Sequence, residues 1–508
     1  MTKRRLYILM LGSVFLGAAA LWLALGFGRT RVVELLYEQG IIARLNETVS
    51  RSTVPSVDYY TRKAHDIFVR LTLLLVFFTA LTLRWRTRVT SETKHRWIEP
   101  TTVATLYVAV SLLVLTVFMT AWSFRGASPK FGFEAMLNRQ AHRPFVHRIL
   151  MPTLVKATAA TVPDDTLKPH QPWLLSNSPL KRYYRQGEVH TARTAFAYHL
   201  TCVYLFLALM GILMVTRRLT LLVYRPSRVA ADIAPAVALF FLPWTFLRGG
   251  YMYDFPELLL MGLCLLTLWQ RQWLAYYLCF ALAMLNKESS LLFVLFLPTL
   301  WYGRMDNRQL LRHTLLQLII GTAILVTIRA VFAGIPGHNI ELHWRTNLAY
   351  WTSWQSWFSF HDTYRLGVPL PRGANVITIA IVLFLASYRW HEKPPLLRRL
   401  FLCTLAVTLP LFLTSCFKDE LRNFSLVFPA FYLLSFHTAQ RVRQRGKTTP
   451  YAHRLTPQHP GPSPQRTTAT DLPHEHLSHT PVQHLAKSPD MIGRRAAATP
   501  DNVHSRIK

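Results

Sequence analysis

Acidic residues are scarce in this chain: 25 of its 508 residues are Asp or Glu, against 57 Lys and Arg, and charged residues of both signs make up only 16%. So few charges cannot cover an ordinary soluble surface. Cysteine is also sparse. The five present, Cys202, Cys264, Cys279, Cys403 and Cys416, show no CxxC spacing and lie mostly within apolar runs, so they suggest neither a zinc site nor a disulfide framework. What is abundant is hydrophobic: 51% of the residues, with a mean hydropathy of +0.21. These features describe a polytopic membrane protein whose first partner is the lipid bilayer. The formal net charge of +32 resides in loops and tail, where Lys and Arg orient the spans, and no nucleic-acid partner is expected.

Apolar runs organise the chain. MTKRR followed by Leu6 to Phe27 has a basic start and a core of spanning length with no clear cleavage site, which reads as an uncleaved anchor and first span. The others are Ile67 to Leu83, Thr101 to Trp122, Thr194 to Thr216, Ile233 to Leu247, Phe255 to Trp269, Trp273 to Leu285, Ser290 to Tyr302, Leu315 to Ala333, Ala374 to Tyr388, Leu400 to Thr414 and Phe424 to Phe436. The expectation is an all-α polytopic integral membrane protein with about twelve transmembrane helices, several shorter than the roughly 17 residues of a lone span. Short spans end inside the protein at a polar site, because charge at membrane depth is tolerated only where it is buried or lines a cavity.

The inward connections, among them RWRTRVTSETKHR, TRRLTLLVYRPSR and RWHEKPPLLRR, carry Arg or Lys with few acids, which places both termini in the cytoplasm; the expected membrane is a plasma (inner) membrane. Residues 1–100 form an N-terminal transmembrane pair with an outward loop, and 101–438 a multi-span core. Residues 439–508, rich in Pro, His, Thr, Ser and Arg, read as a disordered basic cytoplasmic tail. Its histidines, such as His474, His476 and His479, lack the rigid scaffold a metal site needs.

On that topology the unusual charges fall on one outward face: Glu134, Arg143, His147 and Arg148 in the long loop, Asp254 and Glu257 in RGGYMYDFPELLL, Lys287 and Glu288 in LNKESSLLF, and Lys418, Asp419, Glu420 and Arg422 in SCFKDELRNF. Each has a plain structural reading. Asp254 and Glu257 suit the first turn of a helix opened by Pro256, Lys287 and Glu288 suit two helix ends, and Lys418 to Arg422 suit a surface ion pair or lipid headgroups. The functional reading is a site assembled from four connections distant in sequence. In HRPFVHRILMP, Pro144 suits a helix start, and Arg143 and His147, four apart, would share a helix face with Arg148 about 100° around. The segment is expected to be an interfacial helix with its cations aimed at a phosphate, or else a basic helix that only touches anionic lipid.

The order of an RPFVHRILMP segment after a span, a YDFPE turn, an NKES turn and a final DELRNF before the last span resembles bacterial polytopic proteins of the GT-C glycosyltransferase-like superfamily, over roughly Thr101 to Phe436. The resemblance implies sugar transfer from a polyprenyl-phosphate donor to a glycan, lipid or protein acceptor on the extracytoplasmic face. It also implies an acidic base in an early outward loop, by position Glu134, with Asp58 and Glu38 as alternatives. Such chemistry needs cations to stabilise the leaving phosphate and a carboxylate to take the acceptor's proton. Arg143, His147, Arg148, Lys287, Lys418, Glu420 and Arg422 are the binding candidates, and Glu134, Asp254, Glu257 and Glu288 the catalytic ones. Carboxylates here could also hold a divalent Mg or Mn ion. The competing classes are a transporter or exporter of lipid-linked anions, for which no internal repeat is visible, and an inactive scaffold of the same fold.

Overall fold

The computed structural model describes residues 57–86, 98–126, 128–246 and 249–444. The regular secondary structure of the described residues is helical apart from one pair of two-residue strands, Phe360–His361 and Leu370–Pro371, in antiparallel register. The helices that carry the argument are α1 (Val57–Arg86), α2 (Ile98–Ala121), α3 (Leu150–Ala160), α4 (Ala192–Tyr224), α5 (Arg228–Phe240) and α6 (Asp254–Trp269). They continue with α7 (Trp273–Asn286), α8 (Asn307–Val331), α9 (Trp344–Thr352), α10 (Val376–Ser387), α11 (Pro395–Ser415) and α12 (Phe428–Gln444).

Among the described residues six segments are long and apolar enough to cross a membrane, not the eleven apolar runs that fall there, and this corrects the expectation of about twelve spans. They are Ala64–Trp85, Pro100–Ala121, Ala192–Tyr224, Arg228–Phe246, Asn307–Val331 and Pro395–Ser415. The remaining runs fold into shorter elements. α6 has 16 residues, α7 14 and α10 12. At 1.5 Å per residue these reach about 24, 21 and 18 Å, short of a hydrocarbon core of about 30 Å. The run Ser290 to Tyr302 is split between a tight 3-10 segment, Glu288–Leu295, and a six-residue helix, Phe296–Trp301. The expected first span, the tail beyond 444 and Glu38 lie outside the described residues, and Asp58 falls within α1 rather than in a loop.

Helix packing follows membrane rules, in which small residues let backbones approach. α4 and α6 interlock through two glycines: a Cβ at Gly211 would lie 2.8 Å from Leu259 Cδ1, and one at Gly262 2.9 Å from Val215 Cγ1. α1 packs along α2, which packs on α4 and α5. Ions pin the same bundle. Asp232 on α5, 1% exposed, receives Arg84 of α1 at 2.5 Å and Arg217 of α4 at 2.5 Å. Arg84 therefore belongs to the helix end and not to the basic connection that follows it. A second hydrophobic cluster joins α6, α7, α11 and α12.

Candidate functional site

The candidate site lies where helices stop. α6 begins at Asp254, α7 ends at Asn286, and the 3-10 segment begins at Glu288. The loop Cys416–Glu420 follows α11, and Leu421–Val427 coils tightly before α12. Helix ends of this kind leave backbone groups unpaired within the helix. Here the surrounding side chains draw them into one polar cluster.

Glu257, 2% exposed, accepts from Lys287 Nζ at 2.8 Å and from Ser425 Oγ at 2.8 Å. Asp254 accepts the Tyr251 backbone N–H at 2.8 Å and both of its oxygens receive Arg422 Nη1 at 3.2 Å. Arg422 also meets Glu420 at 3.3 Å and lies over the Tyr251 ring at 4.6 Å. Tyr251 stacks on Tyr253 with centroids 5.2 Å apart, and Asn286 Nδ2 fixes the Tyr253 carbonyl at 2.9 Å. Arg148 lies over the Tyr253 ring at 4.3 Å, donates to the Tyr253 hydroxyl, and reaches Glu288 Oε1 at 3.3 Å. Neither Asp254 nor Lys287 is a mere helix-end residue: each bridges two elements.

Charge states follow from these contacts. Burial works against the charge of Arg422, but Asp254 and Glu420 beside it outweigh that and raise its pKa above the ordinary value. Burial likewise opposes ionisation of Glu288, and the Arg148 guanidinium, a backbone hydrogen bond and Lys287 together overcome it, holding the carboxyl below its usual range. The Tyr251 phenol is pushed up to about 12, chiefly by burial, so it stays neutral and able to donate.

HRPFVHRILMP departs from its expected form. A cis Arg143–Pro144 bond precedes a three-residue turn, Phe145–His147, which ends at Arg148 with φ −89° and ψ 71°, and the helix α3 starts only at Leu150. Arg143 and His147 therefore do not share a helix face, and Arg148 is turned inward to Tyr253 and Glu288 instead of outward to lipid. The Arg143 N–H donates to Pro336 O at 2.9 Å, where Gly337, at φ +108°, lies so close that a Cβ would come 2.6 Å from Arg143 O. His147, 2% exposed, faces Phe332. Burial lowers its pKa, with Arg329, Arg148 and Arg143 adding to the effect and Glu288 opposing it.

The expected cations are thus of two kinds. Arg148, Lys287 and Arg422 are held by carboxylates. Arg143, together with Arg329 from the last turn of α8, has no carboxylate within ion-pair distance among the described residues, and the Nε atoms of both, His147 Nε2 and Glu288 Oε2 are buried without hydrogen-bond partners. Two expected residues stand apart. Glu134 is exposed on the five-residue helix Phe133–Leu137 and forms no ion pair among the described residues. Lys418 Nζ lies over its neighbour Phe417 at 5.0 Å. Asp419 pairs with Arg372 at 2.8 Å. The expected divalent-metal site is not formed: among the described residues no group of three or more His, Cys, Asp or Glu could hold a metal ion, and Asp254, Glu257, Glu288 and Glu420 are turned to cations instead.

Tyr251, Tyr253, Ser425 and Arg329 were not singled out by the sequence. The tyrosines lie in the same YMYDFPE stretch as Asp254, and Arg329 could have been found as the only cation late in an apolar run. Comparison of the chain with protein-family models, with curated proteins and with solved structures gives no match.

Proposed function

We propose that this cluster is where the protein transfers a sugar from a polyprenyl-phosphate carrier to an acceptor hydroxyl, on the extracytoplasmic face of a plasma (inner) membrane, with both termini cytoplasmic. The observation that carries the reading is Glu288. One oxygen is tied to Arg148 and the other is buried without a partner among the described residues, and Glu288 bears on the charge of His147 together with Arg143 and Arg329, which have no carboxylate within ion-pair distance among the described residues. A carboxylate kept ionised is in the form a general base needs. Glu288 takes the acceptor's proton as the acceptor oxygen attacks the anomeric carbon, and the carrier phosphate leaves with the electron pair of the broken glycosidic bond. Arg143 and Arg329 offer charge-assisted donors for that leaving phosphate, and Arg148 positions Glu288. The resemblance of the RPFVHRILMP, YDFPE, NKES and DELRNF segments to GT-C-like proteins supports the same reading.

Mass spectrometry of lipid-linked and surface glycans, in cells with and without the gene, tests it. A missing surface sugar with its carrier-linked donor accumulating is expected. Unchanged glycans with a lipid-linked intermediate retained on the inner leaflet would transfer the assignment to an exporter.

A further inference from the structure

Residues 340–360, between α8 and α10, contain four of the chain's 14 tryptophans and only two fully charged side chains, Glu341 and Arg345. Ile340, Leu342, Trp344, Leu348, Trp354 and Phe358 are exposed, Trp354 at 75%. The Trp354 and Phe358 rings lie 4.4 Å apart. A contiguous apolar surface of this kind marks a place of interaction.

The position of the segment says with what. It follows the span α8 and is bonded to the C-terminal end of the span α11. The His343 N–H donates to Thr414 O at 2.8 Å, and Asn347, itself buried, donates through Nδ2 to Leu413 O at 2.9 Å and Cys416 O at 2.6 Å. These are carbonyls that a helix end leaves unpaired, so α9 caps the span. Leu409, Leu411 and Leu413 on α11 and Val326 and Val331 on α8 are exposed as well. Exposed apolar side chains are therefore present on both spans as well as on the segment bonded to them.

We propose that residues 340–360 lie in the boundary between lipid headgroups and acyl chains, with Trp344, Leu348, Trp354 and Phe358 against lipid. The chemistry suits that occupant. Aromatic rings concentrate at this boundary, and Arg345, over the Trp344 ring at 5.2 Å, can extend its charge towards headgroups. The same helix holds the candidate site: Asn347 Oδ1 accepts the Lys418 N–H at 2.7 Å, which fixes the loop that carries Glu420 and Arg422. The proposal does not depend on the transferase reading.

Site-directed spin labelling tests it on the full chain in nanodiscs of phosphatidylethanolamine and phosphatidylglycerol. Cys403, the exposed cysteine, is changed to serine, and Trp354→Cys or Leu348→Cys carries the nitroxide, with Lys168→Cys, at an exposed lysine of the long loop, as the aqueous reference. The chain with no added cysteine supplies the background. Collisions with oxygen exceeding those with nickel–EDDA at both 354 and 348, and the reverse at 168, are expected. Nickel–EDDA dominance at 354 and 348 would place the segment in water, and protection from both reagents would mean that protein covers it. Either result overturns the proposal.

Discussion

Glu288 Oε1 accepts from Arg148 Nη2 at 3.3 Å while Glu288 Oε2 is buried with no hydrogen-bond partner among the described residues. The arginine, with a backbone hydrogen bond and Lys287, keeps the carboxyl ionised against the effect of burial. An opposite charge at this range favours the ionised carboxyl. Arg148→Met should therefore raise the Glu288 pKa and move the acid limb of the pH–rate profile to higher pH. An unmoved acid limb would separate Glu288 from the proton transfer.

Lys287 and Glu257, 8% and 2% exposed in their side chains, form a buried pair at 2.8 Å. Removing one partner strands the other, at a cost of about 3 to 5 kcal/mol, whereas replacing both with apolar side chains costs far less. Glu257→Leu and Lys287→Met should each lower stability sharply in detergent unfolding curves, and the double variant should recover most of the loss. Additive losses would mean that the two side chains do not interact.

His147 makes stability depend on pH with a defined sign. Burial puts its folded pKa below the ordinary 6.5, so between the two values the unfolded chain binds more protons. Its contribution is complete above about pH 6.5 and is lost as pH falls towards the folded pKa. His147→Gln should reduce the fall in Tm between about pH 7.5 and about pH 5.5. A larger fall in the variant would mean that the imidazole is charged in the folded protein.

Arg217 and Arg218 are neighbours with different fates. Arg217 joins the buried Asp232 at 2.5 Å, while Arg218 is exposed. Arg217→Gln should destabilise the bundle measurably, and Arg218→Gln should stay within about 0.5 kcal/mol of the parent. Equal effects in denaturation would remove Asp232 from its role between α1, α4 and α5.

Much of the site was legible because its residues are out of place in their surroundings. Asp254, Glu257, Lys287, Glu288 and Arg422 stand between apolar runs, and the fold brings them together. The span count was not legible, since a run such as Trp273 to Leu285 looks alike whether it crosses lipid or stops against a buried cluster. Length decided against it. Nor does a sequence show that Arg148 points inward, because that depends on a turn ending before α3 begins. Asp232 was overlooked although a lone acid in ADIAPAV within a span is itself a signal of a buried partner. Glu134, favoured by its place in an early loop, is exposed and forms no ion pair among the described residues.

The most direct measurement is transfer from a labelled polyprenyl-phosphate sugar by the reconstituted protein, comparing Glu288→Gln with Glu134→Gln after each is shown to reach the membrane at the parent level. Loss of a general base costs about 10² to 10⁴ in rate while the donor still binds. The account predicts that loss for Glu288→Gln, with Glu134→Gln near the parent rate. Full activity in Glu288→Gln, or the loss falling on Glu134→Gln alone, would contradict it.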